Sequence, residues 1–177
     1  MTTPNAKKVL VAARTLQAPF GEIRLYATRD ALVGVSFPGQ APPTSVTLAR
    51  IDEVEIEAGP VLDHACNELG EYFAGARRGF TIPLAPLGTT FQLAAWEALR
   101  RIPFGETRSY GWQARSLGKP LAARAVGGAN GQNPISIIVP CHRVIGADGS
   151  LTGFGGGLDT KRWLLDHEHR VLAADPR

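Results

Sequence analysis

The stretch that most constrains the fold is a pair of short helical segments in the second half of the chain, GETRSYGWQARSLGKPLAARAVGGAN. The pattern predicts one helix over residues 107 to about 117 and a second over residues 120 to about 129, separated by a Gly-Lys turn. Proline is favoured in the first turn of a helix, so Pro120 fits the start of the second segment. A helix, a tight glycine-containing turn and a second helix are typical of a helix-turn-helix.

The second of these helices has one nearly bare side. The apolar side, which is expected to pack inside the protein, consists of Leu121, Ala122, Ala125, Val126 and Ala129. The bare side consists of Ala123, Arg124, Gly127 and Gly128. Glycine within a helix costs about 1 kcal/mol relative to alanine, so two in succession indicate that something approaches the backbone closely. A phosphate backbone is one such partner, and close packing against another helix is the alternative.

The charge distribution favours an acidic partner for the second half. Residues 1–88 carry eight basic and nine acidic side chains, whereas residues 89–177 carry eleven basic and seven acidic ones. The surplus behind the net charge of +3 therefore lies in the second half. A solvated surface without a partner is the alternative.

The patterns elsewhere predict an α+β fold, in which a small N-terminal mixed sheet-plus-helix domain precedes a mostly helical C-terminal domain. Residues 21–39 alternate apolar and polar side chains and predict a β-hairpin. Residues 41–59 are expected to be an irregular connection, and a helix is expected from Pro60 to near Gly75.

The second half is expected to contain two more helices and one short strand. A helix capped by Thr90 follows a linker-like stretch, and residues 135–139, ISIIV, are predicted to form a buried strand leading to Cys141. A glycine-dense loop, GSLTGFGGG, then precedes a last helix that is capped by Asp159 and runs to about Arg170.

Cys141 and His142 are the residues that most clearly indicate chemistry. The thiolate is the nucleophilic form of cysteine, and an ordinary thiol is only about 3% ionised at neutral pH. A lone Cys-His pair is more often structural, but Glu168 lies in the middle of an apolar helix face, where a carboxylate needs a partner. We predict that Glu168 orients His142 and that His142 activates Cys141 as a thiolate. A salt bridge from Glu168 to Arg143 or Arg162 is the alternative.

Several other classes of site and location are not indicated. The two cysteines, Cys66 and Cys141, do not form a disulfide framework, which favours a reducing compartment, and we expect the cytoplasm. No stretch approaches the roughly 20 apolar residues of a membrane span. No Cys or His spacing suggests zinc, so we predict no metal and no cofactor. GFGGG lacks the register of a nucleotide-binding loop and is predicted to be a wall of the Cys141 pocket, with Phe154 as its flat surface.

From Phe91 to Glu168 the chain, including the PCHRV motif and the stretch FGETRSYGWQARSLGKPLAARAVGGANGQNP, resembles the O6-alkylguanine-DNA alkyltransferases. These proteins are also called methylated-DNA–protein-cysteine methyltransferases. The first half resembles their variable N-terminal domain through GEIRLYAT and LGEYFAG. The resemblance implies an α/β (ribonuclease H-like) domain over residues 1–88 and a DNA-binding and active-site alkyltransferase domain over residues 89–177.

The resemblance also implies roles for individual residues. Cys141 would accept the alkyl group, with His142, acting through a bound water, and Glu168 as its activating relay. Asn133 would hold the turn before the active site, and Tyr110 would crowd the 3′ phosphate of the target nucleotide. Arg124 would fill the gap left in the base stack. Further residues that would contact DNA are Ala123, Gly127, Gly128 and Asn130. The substrate pocket would be lined by Phe154, Val144 and Gly155.

Two features, a phenylalanine in place of tyrosine and a missing zinc site, separate this chain from some members of that family. Phe154 stands where some members have tyrosine, so a hydroxyl that could donate to the guanine oxygen is missing and Tyr110 would have to supply it. The zinc site of some relatives has no counterpart here. Non-catalytic lesion binders of the same family have the cysteine replaced, so Cys141 argues against that class.

The predicted function is therefore direct repair of duplex DNA. The alkyl group of O6-alkylguanine, and of O4-alkylthymine, would move to Cys141 once the nucleotide rotates out of the stack. Because a thioether is inert, each molecule would act once. We expect a monomer without an obligate protein partner, and the sequence leaves both cooperative and independent loading on DNA open. A lesion-sensing DNA-binding protein with an idle cysteine and a cysteine hydrolase are the alternatives.

Overall fold

The computed structural model of the protein describes residues 9–43, 46–48 and 51–175. Its first half is a four-stranded sheet with one long helix packed against it. The strands are β1 (Val9–Ala18), β2 (Gly21–Ala27), β3 (Leu32–Ser36) and β4 (Val46–Leu48), and the helix is α1 (Ile51–Phe73). The order in the sheet is β3-β2-β1-β4, with β4 parallel to β1 and the other pairs antiparallel.

The second half is mostly helical, and the predicted α+β fold class is confirmed. Its elements are α2 (Thr90–Arg100), β5 (Arg108–Ser109), α3 (Tyr110–Ser116), α4 (Ala123–Gly131), a 3-10 turn (Cys141–Arg143), β6 (Val144–Ile145) and α5 (Leu158–Ala174). Strands β5 and β6 form a short parallel pair, which joins the start of α3 to the residues that follow Cys141.

The first half contains more regular structure than the sequence patterns indicated. The predicted hairpin is present as β2 and β3, and the side chains of Ile23 and Leu25 are buried as expected. Strand β1 was not predicted, and the stretch expected to be irregular contains β4 and the first turns of α1. Helix α1 starts at Ile51 and runs through Pro60, so the proline lies inside the helix and does not begin it.

The two helices of the predicted helix-turn-helix, α3 and α4, pack against each other and against α2. The start of α4 was predicted too early, because residues 119–122 form a turn closed by a hydrogen bond from the Ala122 amide to the Lys119 carbonyl. Leu121 is consequently 99% exposed, and Ala125 is also exposed, although both were expected on the packed side. The packed face of α4 is formed by Val126 and Ala129.

The prediction of a strand over residues 135–139 was wrong. This segment is a buried turn in which the Val139 amide donates to the Ile135 carbonyl, and Ile137 has a positive φ of 78°. The Asn133 side chain holds it, since its amide donates to the Val139 carbonyl at 2.8 Å and its oxygen accepts from the Ile135 amide at 3.1 Å. A run of β-branched residues indicates burial here, but without a neighbouring strand it does not form a ladder.

Two helix caps differ from those predicted. Thr89, one residue before the predicted Thr90, caps α2 in a capping box with Gln92. Gly157 precedes α5, and Asp159 lies in the first turn of that helix, where a carboxylate is favoured by the helix dipole.

One hydrophobic core extends through both halves of the molecule. It includes Ile23 of β2, Leu62 of α1, Trp96 of α2, Ile135 of the buried turn and Leu164 of α5. Cys141 is part of this core, so residues from both halves are able to reach it. None of the helices in the described ranges has both the length and the apolar character that a bilayer crossing requires.

Candidate active site

Cys141 opens the 3-10 turn that follows Pro140, and only 6% of it is exposed. Its Sγ lies 3.7 Å from the Ser136 hydroxyl. The Asn133 side chain holds the turn before Cys141 through its bonds to Ile135 and Val139, the role that the resemblance implied. Burial raises the pKa of the Cys141 thiol, although Asn133, Ser136 and the charge of Lys161 act in the opposite direction. The surroundings alone therefore keep the sulfur protonated, and a nucleophilic Cys141 would need a base to take its proton.

His142 and Glu168 are joined as predicted. The His142 Nε2 atom lies 2.8 Å from Glu168 Oε1, and both side chains are fully buried. Burial acts to raise the pKa of Glu168, but the hydrogen bonds and charges of His142 and Arg143 outweigh it and hold that pKa well below its usual range. An ionised carboxylate only accepts hydrogen bonds, so Nε2 carries the proton.

The remaining nitrogen of His142, Nδ1, is unprotonated. Burial lowers the pKa of His142, which Glu168 only partly offsets, so the imidazole is neutral near pH 7. With the proton on Nε2, the Nδ1 lone pair is free to accept another. Among the described residues, Nδ1 is the one buried side-chain nitrogen or oxygen without a hydrogen-bond partner.

Glu168 also makes the salt bridge that was considered as an alternative to the relay. Arg143 donates to its carboxylate through Nε at 3.0 Å and Nη2 at 2.9 Å. The Tyr72 hydroxyl donates to Oε1 at 2.8 Å and the Gly105 amide donates to Oε2 at 2.7 Å. The relay and the Arg143 pair therefore coexist, whereas Arg162 pairs with Asp159.

Lys161 is a residue of the site that the sequence interpretation missed. Its side chain is fully buried, and Nζ donates to the Val144 carbonyl at 2.6 Å and the Thr152 carbonyl at 2.7 Å. It thus connects the strand after Cys141 to the start of the glycine-rich loop. A signal for it existed, because Lys161 lies on the same face of α5 as Leu164 and Glu168.

The three predicted pocket residues occupy different places. The Phe154 ring lies beside His142, with a centroid distance of 6.4 Å, and contacts Phe37 at 5.3 Å. Val144 is fully buried in the core. Gly155 is exposed, and its carbonyl accepts a hydrogen bond from the Gln40 side chain.

Tyr110 lies at the start of α3, between the glycine-rich loop and α4. Its hydroxyl donates to the Thr152 carbonyl at 3.3 Å and accepts from the Thr152 hydroxyl at 3.2 Å. Its ring is next to Gly127, where an added Cβ would lie 3.7 Å from two ring carbons, an ordinary contact distance.

The bare side of α4 is largely open. Arg124 and Gly128 are exposed, Ala123 is half-buried, and a Cβ added at Gly128 would meet nothing within 4 Å. Packing inside the described part of the chain therefore does not require glycine at residues 127 and 128, which weakens the alternative of close helix packing.

Asn130, predicted to be a DNA-binding residue, does not lie on this open side. Asn130 is buried, and its side-chain amide exchanges two hydrogen bonds with Gln113, at 2.8 and 3.0 Å. Both polar atoms of the side chain are thus used to tie α4 to α3. Asn130 fixes the position of the helix and does not belong to its exposed face.

Cys66 and His64 do not form a second site. Cys66 is half-buried against the core, and burial raises the pKa of its thiol. His64 lies 3.1 Å from the Thr81 hydroxyl. No group of three or more His, Cys, Asp or Glu side chains able to hold a metal ion occurs in the described part of the chain.

Comparisons with known proteins agree with this geometry. Residues 90–174 match the family model for the 6-O-methylguanine DNA methyltransferase DNA binding domain, and residues 11–86 match the model for the ribonuclease-like domain of the same proteins. The methylated-DNA–protein-cysteine methyltransferase of Mycobacterium leprae is 58% identical over 93% of this chain and 97% of its own length.

Solved structures of Mycobacterium tuberculosis proteins are similar over the same extent. The O6-methylguanine methyltransferase superposes with a TM-score of 0.79 at 44% identity, over 93% of this chain and 96% of its own. The OGT protein in complex with DNA gives the same TM-score and identity, over 92% and 94%. The chain therefore belongs to the 6-O-methylguanine DNA methyltransferase family.

Proposed function

We propose that this protein repairs DNA by transferring the alkyl group from O6-alkylguanine, and from O4-alkylthymine, in duplex DNA to Cys141. The observation that carries the proposal is the buried thiol next to a neutral His142 whose Nδ1 is unpartnered and whose Nε2 is fixed by Glu168. Relatives named methylated-DNA–protein-cysteine methyltransferases support the same reaction.

The chemistry is a single substitution. Sγ attacks the alkyl carbon, a carbon–sulfur bond forms, and the bond from that carbon to the base oxygen breaks. The thiol proton passes towards His142 Nδ1; because Nδ1 does not hydrogen-bond to the thiol directly, an intermediary such as a bound water carries it. The base leaves as an anion whose oxygen accepts a hydrogen bond from the Tyr110 hydroxyl, since Phe154 has no hydroxyl, and the proton that His142 took from the thiol returns to the base through solvent. The thioether that results is inert, so each molecule reacts once.

The DNA contacts in this proposal come from α4 and Tyr110. A damaged base is buried in the stack, so its nucleotide has to rotate out before the sulfur can reach it, at a cost of a few kcal/mol. The exposed, nearly bare side of α4 would lie in the minor groove, with Arg124 in the vacated space and Tyr110 at the 3′ phosphate.

The alternatives are less well supported. A lesion sensor with an idle cysteine does not need a buried histidine that follows the cysteine in the chain and is paired with Glu168. A cysteine hydrolase would need donors arranged around an oxyanion in addition to the nucleophile.

We also infer that the protein acts as a single chain in a reducing compartment, for which we propose the cytoplasm. All residues of the site belong to one chain, and the reaction needs Cys141 as a free thiol. The chemistry draws on side chains alone and calls for no cofactor.

The experiment uses a duplex with one O6-methylguanine and measures the lesion remaining after incubation. We expect the wild-type protein to remove one lesion per protein molecule, and Cys141→Ser to leave the lesion in place while it still binds the duplex. Persistence of the lesion with the wild type, or equal removal by Cys141→Ser, would overturn the proposal.

A further inference from the structure

A tight turn at the end of β3 projects from the N-terminal half towards the active site. The Gln40 amide donates to the Phe37 carbonyl at 3.0 Å, and the Gln40 side-chain oxygen accepts from the Phe37 amide at 3.1 Å. Gly39 has a positive φ of 76°, which suits a tight turn. Gln40 thus closes the turn twice, and Phe37 and Gln40 are held in a fixed relation to each other.

This turn contacts three consecutive residues of the glycine-rich loop. The Phe37 ring, which is 4% exposed, packs edge-on against Phe154 with a centroid distance of 5.3 Å and an interplanar angle of 63°. The same ring lies against Gly156, where an added Cβ would be 2.8 Å from Phe37 Cδ1. The Gln40 side chain donates to the Gly155 carbonyl.

The loop needs such support because its own backbone is permissive. Gly153 and Gly157 both have positive φ, and glycine populates many conformations at little cost. The start of the loop is tied at Thr152 by Lys161 and Tyr110. Its Phe154 ring lies beside His142, so the position of this part of the loop decides how much space there is next to the relay.

We propose that Phe37 and Gln40 are positioning residues for alkyl transfer, which hold Phe154 beside His142 and thereby limit the size of the alkyl group that Cys141 accepts. This inference rests on the proposed function. It gives the N-terminal half a part in specificity, which is exerted through its contacts with the glycine-rich loop.

The test compares the rates of methyl and benzyl transfer from O6-alkylguanine in otherwise identical duplexes. In Phe37→Ala the Phe154 ring loses its support, and we expect methyl transfer to slow by about tenfold, since a misplacement of about 1 Å can cost a hundredfold. Benzyl transfer should slow less because the pocket widens, so the benzyl-to-methyl ratio rises. Gln40→Ala should shift the ratio in the same direction by a smaller factor, and Phe37→Leu should restore most of the wild-type ratio.

Tyr26→Ala is the matched control, because Tyr26 is a buried aromatic residue of the same sheet that packs in a separate cluster with Val11 and Val33. It should leave the ratio unchanged. Hydrogen exchange over residues 151–157 should accelerate in Phe37→Ala and Gln40→Ala but not in Tyr26→Ala.

An unchanged ratio together with wild-type exchange in the loop would overturn the inference. If Phe37→Ala does not fold, the benzyl-to-methyl ratio and the loop exchange of Gln40→Ala test the inference. This variant is expected to fold, because the Gln40 side chain is exposed. If the wild type transfers neither group, the proposed function fails, and the exchange measurement still decides whether the turn holds the loop.

Discussion

At the scale of single residues, the chemistry of the site depends on the neighbours of one carboxylate. Glu168 accepts hydrogen bonds from His142, Arg143, Tyr72 and Gly105, which come from three different parts of the chain. These partners keep it ionised without access to water. Because it is ionised, it holds the proton of His142 on Nε2 and leaves Nδ1 without one, as the proposed mechanism requires.

Replacing Glu168 by Gln should impair both the reaction and the fold. We expect transfer to slow by roughly a hundredfold, the contribution of a positioned general base, and by the same factor for free O6-benzylguanine and for duplex DNA. The free energy of unfolding should fall by about 3 kcal/mol, since Arg143 loses its charged partner in a buried site. Rate measurements on both substrates and denaturant titration check this, and unchanged rates would remove Glu168 from the relay.

The lowered pKa of His142 predicts a specific dependence of stability on pH. Between about pH 7.5 and about pH 5.5 the unfolded chain takes up a proton at His142 that the folded protein does not, so the free energy of unfolding should fall as the pH falls. His142→Gln should reduce this slope. Denaturant titrations at several pH values measure it, and equal slopes in the two proteins would contradict the assignment of a neutral imidazole.

The sequence predicted some residues of the site but not others, for physical reasons. Cys141, His142 and Glu168 were recognisable because a carboxylate on an apolar helix face needs a partner. Lys161 could have been found by the same argument. Tyr72 and Gly105 could not, because they reach Glu168 through contacts between residues 63 or more positions apart, which leave no periodic signal.

At the scale of elements, α4 combines a packed face with a side from which side chains are nearly absent. Val126 and Ala129 pack inside, and Asn130 ties the helix to Gln113 of α3. Gly128 lies on the open side, with nothing near the position of a side chain. Glycine at residue 128 therefore lowers the intrinsic stability of the helix, although packing within the described residues does not require a glycine there.

Gly128→Ala tests whether this open side is used by DNA. Alanine should raise the free energy of unfolding by about 1 kcal/mol, because the site is helical and has room for a Cβ. Repair of duplex DNA should slow because the methyl group keeps the phosphate backbone away, while reaction with free O6-benzylguanine stays unchanged. Equal rates for wild type and variant on the duplex would show that the backbone of α4 does not approach DNA closely.

Elements were predicted well where the signal was local. The cores of α2 and α5 follow helical periodicity, but their N-caps lie one or two residues before the predicted ones, and α5 continues to Ala174, beyond the predicted end near Arg170. The segment over residues 135–139 was misassigned because burial, which its composition does indicate, is common to strands and to buried turns. The hydrogen bonds of the Asn133 side chain to Ile135 and Val139 stabilise the turn. The periodicity of apolar residues in the sequence gives no sign of such bonds.

At the scale of the whole molecule, the two halves act together through one core. Tyr72 of the N-terminal half donates a hydrogen bond to the Glu168 carboxylate. Phe37 of the same half packs against Phe154 in the glycine-rich loop. The basic surplus nevertheless lies in the second half. Strand β1 pairs with β2 next to it in sequence but also with the distant β4, and its role in the sheet was not predictable from its own short apolar run.

The central event of the proposed function is the transfer of one alkyl group to the sulfur of Cys141. Mass spectrometry measures this transfer directly. After incubation with an excess of duplex carrying O6-methylguanine, peptide mapping should find one added methyl group on the Cys141 peptide, none on the Cys66 peptide, and no more lesions repaired than protein molecules present. An unmodified Cys141 peptide, or repair that continues beyond one lesion per chain, would contradict it.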